Sequence, residues 1–310
     1  MSRPPLPPRV TVVEVGPRDG LQNEAAQIPT AAKIAFVEAL AAAGLPVVEI
    51  AAFVNPARVP QMADAAAVAR GIARRPGTRY TALVPNLRGL AAAHECGMVE
   101  VAIFAAASEA FSQRNINQTI ESSLTAYAAL VGNALALDMR VRGYLSTAFG
   151  CPFEGRVSQA RVVELTERLL AMGVFEVAVS DTIGVATPGQ VADMVEALRA
   201  RVPIGSIALH LHDTRGTALA NVFAALEAGV TTFDASAGGL GGCPFAPGAA
   251  GNLSTEDLLY MLHGLGIETG VDLGAVVGAS RLMASWINHP LPSRYLQAAA
   301  AGNSGVARNS

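Results

Sequence analysis

Short runs of Val, Ile and other apolar residues alternate along the chain with longer Ala- and Leu-rich stretches of helical periodicity. The first pattern is typical of buried strands and the second of amphipathic helices. The predicted strands are residues 10–15, 46–50, 79–83, 99–103, 140–144, 175–179, 206–210 and 231–235. The predicted helices lie near residues 30–43, 60–74, 87–96, 120–137, 158–172, 188–201, 216–228 and 255–265. Eight strand–helix units in this spacing predict an α/β fold, a closed (β/α)8 TIM barrel, with an open doubly wound sheet as the alternative.

The helical pattern continues beyond the eighth unit, and no linker separates it from the barrel. Two further stretches, residues 271–287 and 291–301, predict extra C-terminal helices packed on the barrel. We therefore expect one catalytic domain over residues 1–302, with the barrel at about 10–266 and the added helices at about 271–301. Residues 303–310 are expected to form a disordered tail.

Composition narrows the classes of function. The chain has 310 residues, 51 % of them hydrophobic, and a net charge of −3, which argues against a nucleic-acid or membrane-surface binder. Charged residues, glycine and proline interrupt the most apolar region, residues 34–54, so we expect no membrane span. Cys96, Cys151 and Cys243 are odd in number and far apart, which favours a reducing cytoplasm over a disulfide framework.

Two short segments carry the candidate metal chemistry. His210 and His212 end the seventh predicted strand, and because side chains alternate along a strand, both imidazoles lie on one face. Barrel closure makes strands seven, eight and one neighbours, which brings in Asp19 and the Gly-rich loop that ends at Asn252. Imidazole, carboxylate and amide donors suit Mg²⁺ or Mn²⁺ better than Zn²⁺. A hydrogen-bonded pair of core histidines is the alternative interpretation of His210 and His212.

Three charged residues stand at predicted strand ends near this centre. Arg18 either stabilises a developing oxyanion or forms a salt bridge across the barrel mouth. Glu49 and Asp181 lie at the ends of strands two and six, where a buried carboxylate needs a partner. Both are candidates for supporting the metal site or for acid–base catalysis, and a solvated rim carboxylate is the alternative.

The segment of residues 237–248 is too Gly-rich to hold one conformation without a partner, and it lacks the Gly-Lys-Ser/Thr ending of a phosphate loop. We interpret it as a mobile lid that carries one thiol, Cys243. Beside a cationic site, this thiol either transfers a proton or is an inert small apolar side chain.

The single lysine excludes two carbon–carbon chemistries. Lys33 lies on the first predicted helix, outside the barrel. A Schiff-base aldolase needs a lysine that projects into the barrel, and a biotin-dependent carboxyl transferase of this architecture would need a carbamylated lysine ligand. A metal-stabilised enolate remains.

Several motifs resemble the signatures of the 3-hydroxy-3-methylglutaryl-CoA (HMG-CoA) lyase family, within the DRE-TIM metallolyase superfamily. They are EVGPRDGLQN at 14–23, NIN at 115–117, RGY at 142–144, DTIG at 181–184, HLHDT at 210–214 and GLGGCP at 239–244. The likeness runs from about Val10 to about Asn288, nearly the whole chain. The cysteine-containing segment is highly specific, whereas a His-x-His pair alone would not be.

The resemblance implies a TIM barrel whose divalent metal is held by Asp19, His210, His212 and Asn252. It implies cleavage of a 3-hydroxyacyl-CoA into acetyl-CoA and a keto acid, which is acetoacetate for the usual substrate. An acyl-CoA substrate, a homodimer and a cytoplasmic enzyme are the corresponding expectations.

The resemblance also implies the catalytic roles. Asp181 or His210 would take the proton of the substrate hydroxyl, and Arg18 would stabilise the enolate. Cys243 would then protonate the enolate carbon.

Further residues are implied to position the reactants. Glu49 and Gln22 would hold Arg18 and the substrate in place, and Asn288 is a further expected substrate-binding residue.

The departures from the family pattern bear on which acyl group the protein would accept. Ala51 and Ala52 stand where Thr-Ser is more common, and Ala178 and Ser180 also differ from the usual pattern before Asp181. The lyase chemistry is therefore a firmer expectation than the acyl group, and a longer 3-substituted glutaryl-CoA or citramalyl-CoA is the alternative substrate.

Two rival functions carry distinct signatures. A Claisen-type synthase on the same barrel would be expected to show His-x-His-Asn-Asp and an extra C-terminal domain, but here Asp213 and Thr214 follow His212. A non-catalytic binding barrel would be expected to lose the chemically active residues, which this chain retains.

Overall fold

The computed structural model describes residues 5–242 and 251–302. Its strands form a closed parallel barrel in which each strand pairs with the next, and β8 pairs with β1. They are β1 (Thr11–Glu14), β2 (Val47–Ala52), β3 (Arg79–Leu83), β4 (Glu100–Ala106), β5 (Arg140–Ser146), β6 (Glu176–Asp181), β7 (Ile207–Leu211) and β8 (Thr232–Ala235). The α/β TIM barrel predicted from the alternating pattern is confirmed.

Helices cover the outside of the barrel. They are α1 (Thr30–Ala42), α2 (Ala65–Gly71), α3 (Leu87–Glu95), α4 (Glu109–Ile116), α5 (Ile120–Ala136), α6 (Gln159–Ala171), α7 (Pro188–Arg199), α8 (Ala218–Glu227), α9 (Thr255–Gly264), α10 (Leu273–Ala284) and α11 (Arg294–Gly302). Most agree with the periodicity within a few residues, because apolar positions such as Phe36 and Leu40 of α1 must be buried. Within residues 5–242 and 251–302, no helix has the length and apolar character needed to cross a membrane.

The helix predicted near residues 60–74 is broken in two. A 3₁₀ turn, Pro60–Met62, precedes α2, and the backbone carbonyl of Gln61 accepts a hydrogen bond from the Lys33 ammonium at 2.5 Å. Lys33 also pairs with Asp64 at 2.7 Å. The side chain of Lys33 is therefore buried and links α1 to the start of α2. It lies outside the barrel interior, as predicted.

Helix α4 was not predicted, because its eight residues carry too few apolar positions for a clear period. Ser108 begins it as an N-cap whose hydroxyl accepts a hydrogen bond from the backbone N–H of Phe111. Phe111 is buried, and α4 places it on the wall of the cavity described below.

The extra C-terminal helices α10 and α11 occupy the two predicted stretches, although α10 ends earlier than residue 287. The backbone N–H of Asp272 donates to the carbonyl of Ala43 at 2.8 Å, which ties α10 to the end of α1. The N–H of Ser293 donates to the carbonyl of Gly238 at 3.1 Å, so the segment before α11 lies against the loop that follows β8. The predicted disordered tail, 303–310, lies outside the described residues.

Glu14, at the end of β1, joins three segments at the mouth of the barrel. Its carboxylate is buried and accepts hydrogen bonds from the N–H of Gly16 at 2.7 Å, the N–H of Ala237 at 2.9 Å and the hydroxyl of Thr255 at 2.7 Å. Burial raises the pKa of Glu14 to about 7, despite these three donors, and the nearby Glu256 also raises it. Glu14 therefore favours the protonated form in the folded state at pH values where it ionises in the unfolded chain.

We expect Glu14→Gln to reduce the pH dependence of the free energy of unfolding. The pKa of Glu14 is higher in the folded than in the unfolded state, so its contribution to stability falls as pH rises from about 4.5 to about 7. Urea unfolding of both proteins at pH 5 and pH 8 measures the effect. The stability of wild type relative to the variant is expected to fall by roughly 2.5 kcal/mol between these values. A difference that does not change with pH would contradict this account of Glu14.

Candidate metal centre and active site

The two histidines at the end of β7 face each other. The Nε2 atoms of His210 and His212 lie 3.1 Å apart, and both side chains are buried. Burial and the nearby His210 ring lower the pKa of His212 to about 3, although Asp19 opposes the shift. His212 is therefore neutral at physiological pH and has a nitrogen lone pair to donate. Strand alternation brings these imidazoles to one face, as predicted.

Asp19 reaches the same point from the end of β1, on the other side of β8. It lies on a short π-helical turn, Gly16–Gly20, and its Oδ2 is 4.0 Å from Nε2 of His210. One donor atom each from Asp19, His210 and His212 lie within 4.8 Å of one another. Burial alone would raise the pKa of Asp19, but the Arg18 guanidinium and the two imidazoles hold it well below its usual value. These three residues can hold a metal ion.

Asn252 completes the predicted ligand set. Its Nδ2 donates to Oδ2 of Asp19 at 2.8 Å and to the carbonyl of Leu240 at 3.1 Å. Its Oδ1 is buried and has no hydrogen-bond partner among the described residues, and the same is true of Nδ1 of His212. Buried polar atoms without partners are costly. An unsatisfied amide oxygen beside a carboxylate and two imidazoles fits a divalent cation.

Arg18 is held between two carboxylates. Its Nε lies 2.6 Å from Oε2 of Glu49, and its Nη1 lies 2.6 Å from Oδ1 of Asp19. Burial lowers the pKa of Arg18, but the two carboxylates more than offset this and raise it, so the guanidinium stays charged. Arg18 also lines the cavity. The salt bridge that was the alternative interpretation of Arg18 is thus present, and the guanidinium that forms it still lies on the cavity wall.

Tyr144 belongs to this arrangement although no role was predicted for it. Its hydroxyl donates to Oε2 of Glu49 at 3.2 Å, and the Arg18 guanidinium lies 5.4 Å from the centre of its ring. Burial raises the pKa of Glu49, and Arg18 partly reverses the shift. The only sequence signal for Tyr144 was its place in the RGY motif.

Asp181 is placed differently from the other candidates. Its Oδ1 accepts from the N–H of Val185 and its Oδ2 from the N–H of Ala186, both at 2.9 Å. The carboxylate therefore holds the loop after β6, and it is not part of the cavity wall formed by the described residues. Burial raises the pKa of Asp181, although these two hydrogen bonds lower it. Its neighbours Ser180 and Thr182 do line the cavity.

A cavity of about 660 Å³ opens above these groups. Gln22 lies on its wall, and the buried Oε1 of Gln22 has no partner among the described residues. Asn288 is exposed and is not part of the described wall. The adjacent His289 forms a hydrogen bond of 2.9 Å with Glu24, which lies two residues after Gln22 in the sequence. The wall residues are Arg18, Asp19, Gln22, Asn23, Val54, Asn55, Arg58, Val59, Leu83, Pro85, Asn86, Phe104, Phe111, Asn115, Ile116, Tyr144, Ser146, Ser180, Thr182, His210, His212 and Gly242.

The Gly-rich segment is described only as far as Gly242, which lines the cavity. Gly241 has φ of +103°, and a Cβ atom there would come within 2.7 Å of Nδ2 of Asn252. Glycine is therefore required where the loop passes the ligand set. Cys243 follows Gly242 in the sequence and lies outside the described residues.

Comparison with known proteins shows the family of the chain. The family model described as HMGL-like matches residues 9–283. The mitochondrial hydroxymethylglutaryl-CoA lyase of Gallus gallus is 50% identical over 294 residues, which is 95% of this chain and 99% of that one. The cytoplasmic 3-hydroxy-3-methylglutaryl-CoA lyase of Danio rerio is 51% identical over 295 residues, 95% of this chain and 88% of that one.

A solved structure, the hydroxymethylglutaryl-CoA lyase of Pseudomonas aeruginosa, is similar to this fold. It has a TM-score of 0.94 and 49% identity, and the match covers 96% of this chain and 99% of that one. With a family model that matches most of the sequence, and relatives about half identical across nearly their whole length, the chain belongs to the HMGL-like family.

Proposed function

We propose that the protein is a divalent-metal-dependent carbon–carbon lyase that cleaves 3-hydroxy-3-methylglutaryl-CoA to acetyl-CoA and acetoacetate. One observation carries the proposal: Arg18, Asp19, His210 and His212 meet on the wall of one cavity of about 660 Å³. An electrophilic centre beside a fixed cation is what a reaction through an enolate requires. The names of the similar proteins agree with this activity.

Asp19, His210, His212 and Asn252 would hold the ion, for which we propose Mg²⁺ or Mn²⁺ because the donors are oxygen and nitrogen atoms. When bound, a divalent cation supplies Lewis-acid chemistry that polarises substrate oxygen atoms and lowers the pKa of a hydroxyl group.

We assign proton acceptance to Asp181. Both ring nitrogens of His210 are engaged, Nδ1 with Asp234 and Nε2 within the ligand cluster, so His210 belongs to the metal set. Burial raises the pKa of Asp181, which makes its carboxylate a stronger base. Each of its oxygens accepts one backbone N–H and keeps a lone pair for a proton that arrives through a water molecule or hydroxyl group at the wall.

Arg18 would stabilise the enolate. Loss of the hydroxyl proton turns the C–O group into the ketone of acetoacetate, while the adjacent C–C bond breaks and its electron pair moves into the acetyl-CoA enolate. The guanidinium is held by Glu49 and Asp19 before the reaction begins, so little reorganisation is needed when the negative charge develops. Gln22, with its unsatisfied Oε1 on the wall, is proposed to bind substrate, and Asn288 to contact it at the rim.

Cys243 would protonate the enolate carbon. The sequence places this thiol directly after Gly242, a residue of the cavity wall. A cationic centre favours the thiolate that proton donation leaves behind.

A related 3-hydroxyacyl-CoA is the second candidate substrate. Leu83, Phe104 and Phe111 give the cavity an apolar side, and Ser180 adds a hydroxyl group beside it. Ala51, Ala52 and Ala178 are buried and are not part of the described wall. A longer 3-substituent would lie against the apolar side chains, whereas a Claisen-type synthase has no comparable support.

We also propose a cytoplasmic homodimer. The described cysteines, Cys96 and Cys151, are buried and unpaired, as in a reducing compartment. The dimer rests on the family resemblance, and light scattering of the purified protein tests it.

Chelation with EDTA is expected to abolish cleavage of 3-hydroxy-3-methylglutaryl-CoA, and added Mg²⁺ or Mn²⁺ to restore it. His212→Ala is expected to weaken Mn²⁺ binding by on the order of 100-fold, because it removes one donor. His94→Ala, in the exposed part of α3, is the matched control and should bind normally. Turnover that survives chelation would rule out a role for the ion.

Arg18→Gln is expected to lower kcat on the order of 10³-fold, because the enolate loses its fixed cation. Steady-state kinetics measures kcat, and circular dichroism checks the fold. Arg88→Gln, which removes an exposed guanidinium at the start of α3, is the control and should leave kcat unchanged. A near-normal kcat in Arg18→Gln would remove the role of Arg18 in catalysis.

Cys243→Ser is expected to reduce kcat strongly and to leave Mn²⁺ affinity unchanged, because a serine hydroxyl is a much weaker acid than a thiol. Cys96→Ser, at the end of α3, should retain kcat. Equal losses of turnover and of metal affinity in Cys243→Ser would indicate a structural thiol instead.

A further inference from the structure

We propose that Asp234 is a positioning residue that sets the tautomer and orientation of His210, and that Arg142 holds Asp234 in place for this purpose. The proposal rests on the metal site of the proposed function. It concerns two residues of the barrel interior for which the sequence predicted no role.

Asp234 lies on β8, directly beside His210 on β7. The two are paired in the strand register, and Oδ2 of Asp234 lies 3.1 Å from Nδ1 of His210. The carboxyl group of Asp234 is completely buried. Because neither side chain can move far in a packed barrel, the hydrogen bond fixes the plane of the His210 ring.

The chemistry of this hydrogen bond determines which ring nitrogen carries the proton. A carboxylate only accepts hydrogen bonds, and a neutral imidazole has one N–H. Asp234 therefore holds the proton of His210 on Nδ1 and leaves the lone pair on Nε2. It is Nε2 that faces His212 at 3.1 Å and Asp19 at 4.0 Å. A carboxylate that binds the far nitrogen of a ligating imidazole in this way orients the ligand and raises its basicity.

Arg142 makes a buried carboxylate at this position possible. Its Nη2 lies 2.7 Å from Oδ1 of Asp234, and its Nη1 lies 3.2 Å from Oδ2. The Nε of Arg142 lies 2.7 Å from Oε1 of Glu176, so the guanidinium is held on both sides. Arg142 is only 1% exposed. A forked pair of this kind fixes the carboxylate plane as well as its charge.

The Arg142 guanidinium is also connected, through further hydrogen bonds, to Asp19. Nη1 of Arg142 donates to the hydroxyl of Tyr144 at 3.1 Å, and that hydroxyl donates to Glu49 at 3.2 Å. Glu49 in turn holds Arg18, which pairs with Asp19. A continuous chain of hydrogen bonds therefore runs through the barrel interior from His210 to Asp19, and both of its ends are proposed metal ligands.

A purely structural ion pair is the competing explanation, and Glu176 provides the matched control. Both Asp234→Asn and Glu176→Gln remove one carboxylate partner of Arg142, but only Asp234 contacts His210. In Asp234→Asn, the shorter Arg142 contact, from Nη2 at 2.7 Å, is expected to hold the amide oxygen at the Oδ1 position, which turns the NH₂ group toward Nδ1. His210 must then carry its proton on Nε2, where the ion would bind.

Two measurements test the proposal. Nitrogen-15 NMR of the metal-free protein is expected to show the Nδ1–H tautomer of His210 in wild type and Glu176→Gln, and the Nε2–H tautomer in Asp234→Asn. Mn²⁺ titration followed by electron paramagnetic resonance is expected to show about 10- to 100-fold weaker binding in Asp234→Asn only. Glu176→Gln should bind Mn²⁺ within about twofold of wild type.

Either of two results overturns the proposal. One is an Nε2–H tautomer of His210 in metal-free wild type, which requires no variant to fold. The other is an equal loss of Mn²⁺ affinity in Asp234→Asn and Glu176→Gln, which would mean a structural ion pair. If wild type itself binds no Mn²⁺, the metal role of the proposed function fails, while the tautomer measurement still decides the role of Asp234.

Discussion

The pairing of β8 with β1 is the constraint on which the rest of the site depends. Four residue pairs, from Thr11 with Thr232 to Glu14 with Ala235, close the barrel. This closure brings the turn after β1, with Arg18 and Asp19, beside the end of β7, with His210 and His212. In an open sheet of the same strand order, β1 and β8 would lie at opposite edges, which would separate the turn after β1 from the end of β7.

The barrel interior is unusual in the amount of charge it holds. Glu49, Arg142 and Asp234 are essentially excluded from water, and Arg18 is almost as deeply buried. Charges in this environment are tolerated only when they are paired and hydrogen-bonded, and each of these groups meets that condition. Replacing such pairs with apolar side chains often costs no stability, so we attribute their presence here to the orientation of the site. The fixed dipoles and charges are in place before substrate binds, which is the condition for strong electrostatic catalysis.

The positions of the strand ends were predictable, and with them most of the site. Arg18, Asp19, His210 and His212 could be found because two short motifs end strands one and seven, which flank strand eight. Asn252 could be found because it ends the Gly-rich loop after strand eight. Asp181 was found in the same way, because it ends a predicted strand. In the structure its carboxylate accepts hydrogen bonds from two backbone N–H groups and so caps the loop after β6. Local hydrogen bonds of this kind cannot be read from spacing, since they depend on the conformation of the following loop. Asn288 likewise lies on a segment whose approach to the barrel is set by packing of the C-terminal helices.

The sequence by itself determined the barrel, the ends of its strands and of most of its helices within a few residues, and the residue types available at its mouth. The physical reason is that periodicity and strand alternation are local properties, and parallel strands joined by helices allow few topologies. Only the tertiary structure decided which polar groups share a hydrogen bond inside the barrel. Asp234 and Arg142 stand 92 positions apart in a chain with many charged residues, and their pairing with each other and with His210 arises only from the register of strands five, seven and eight.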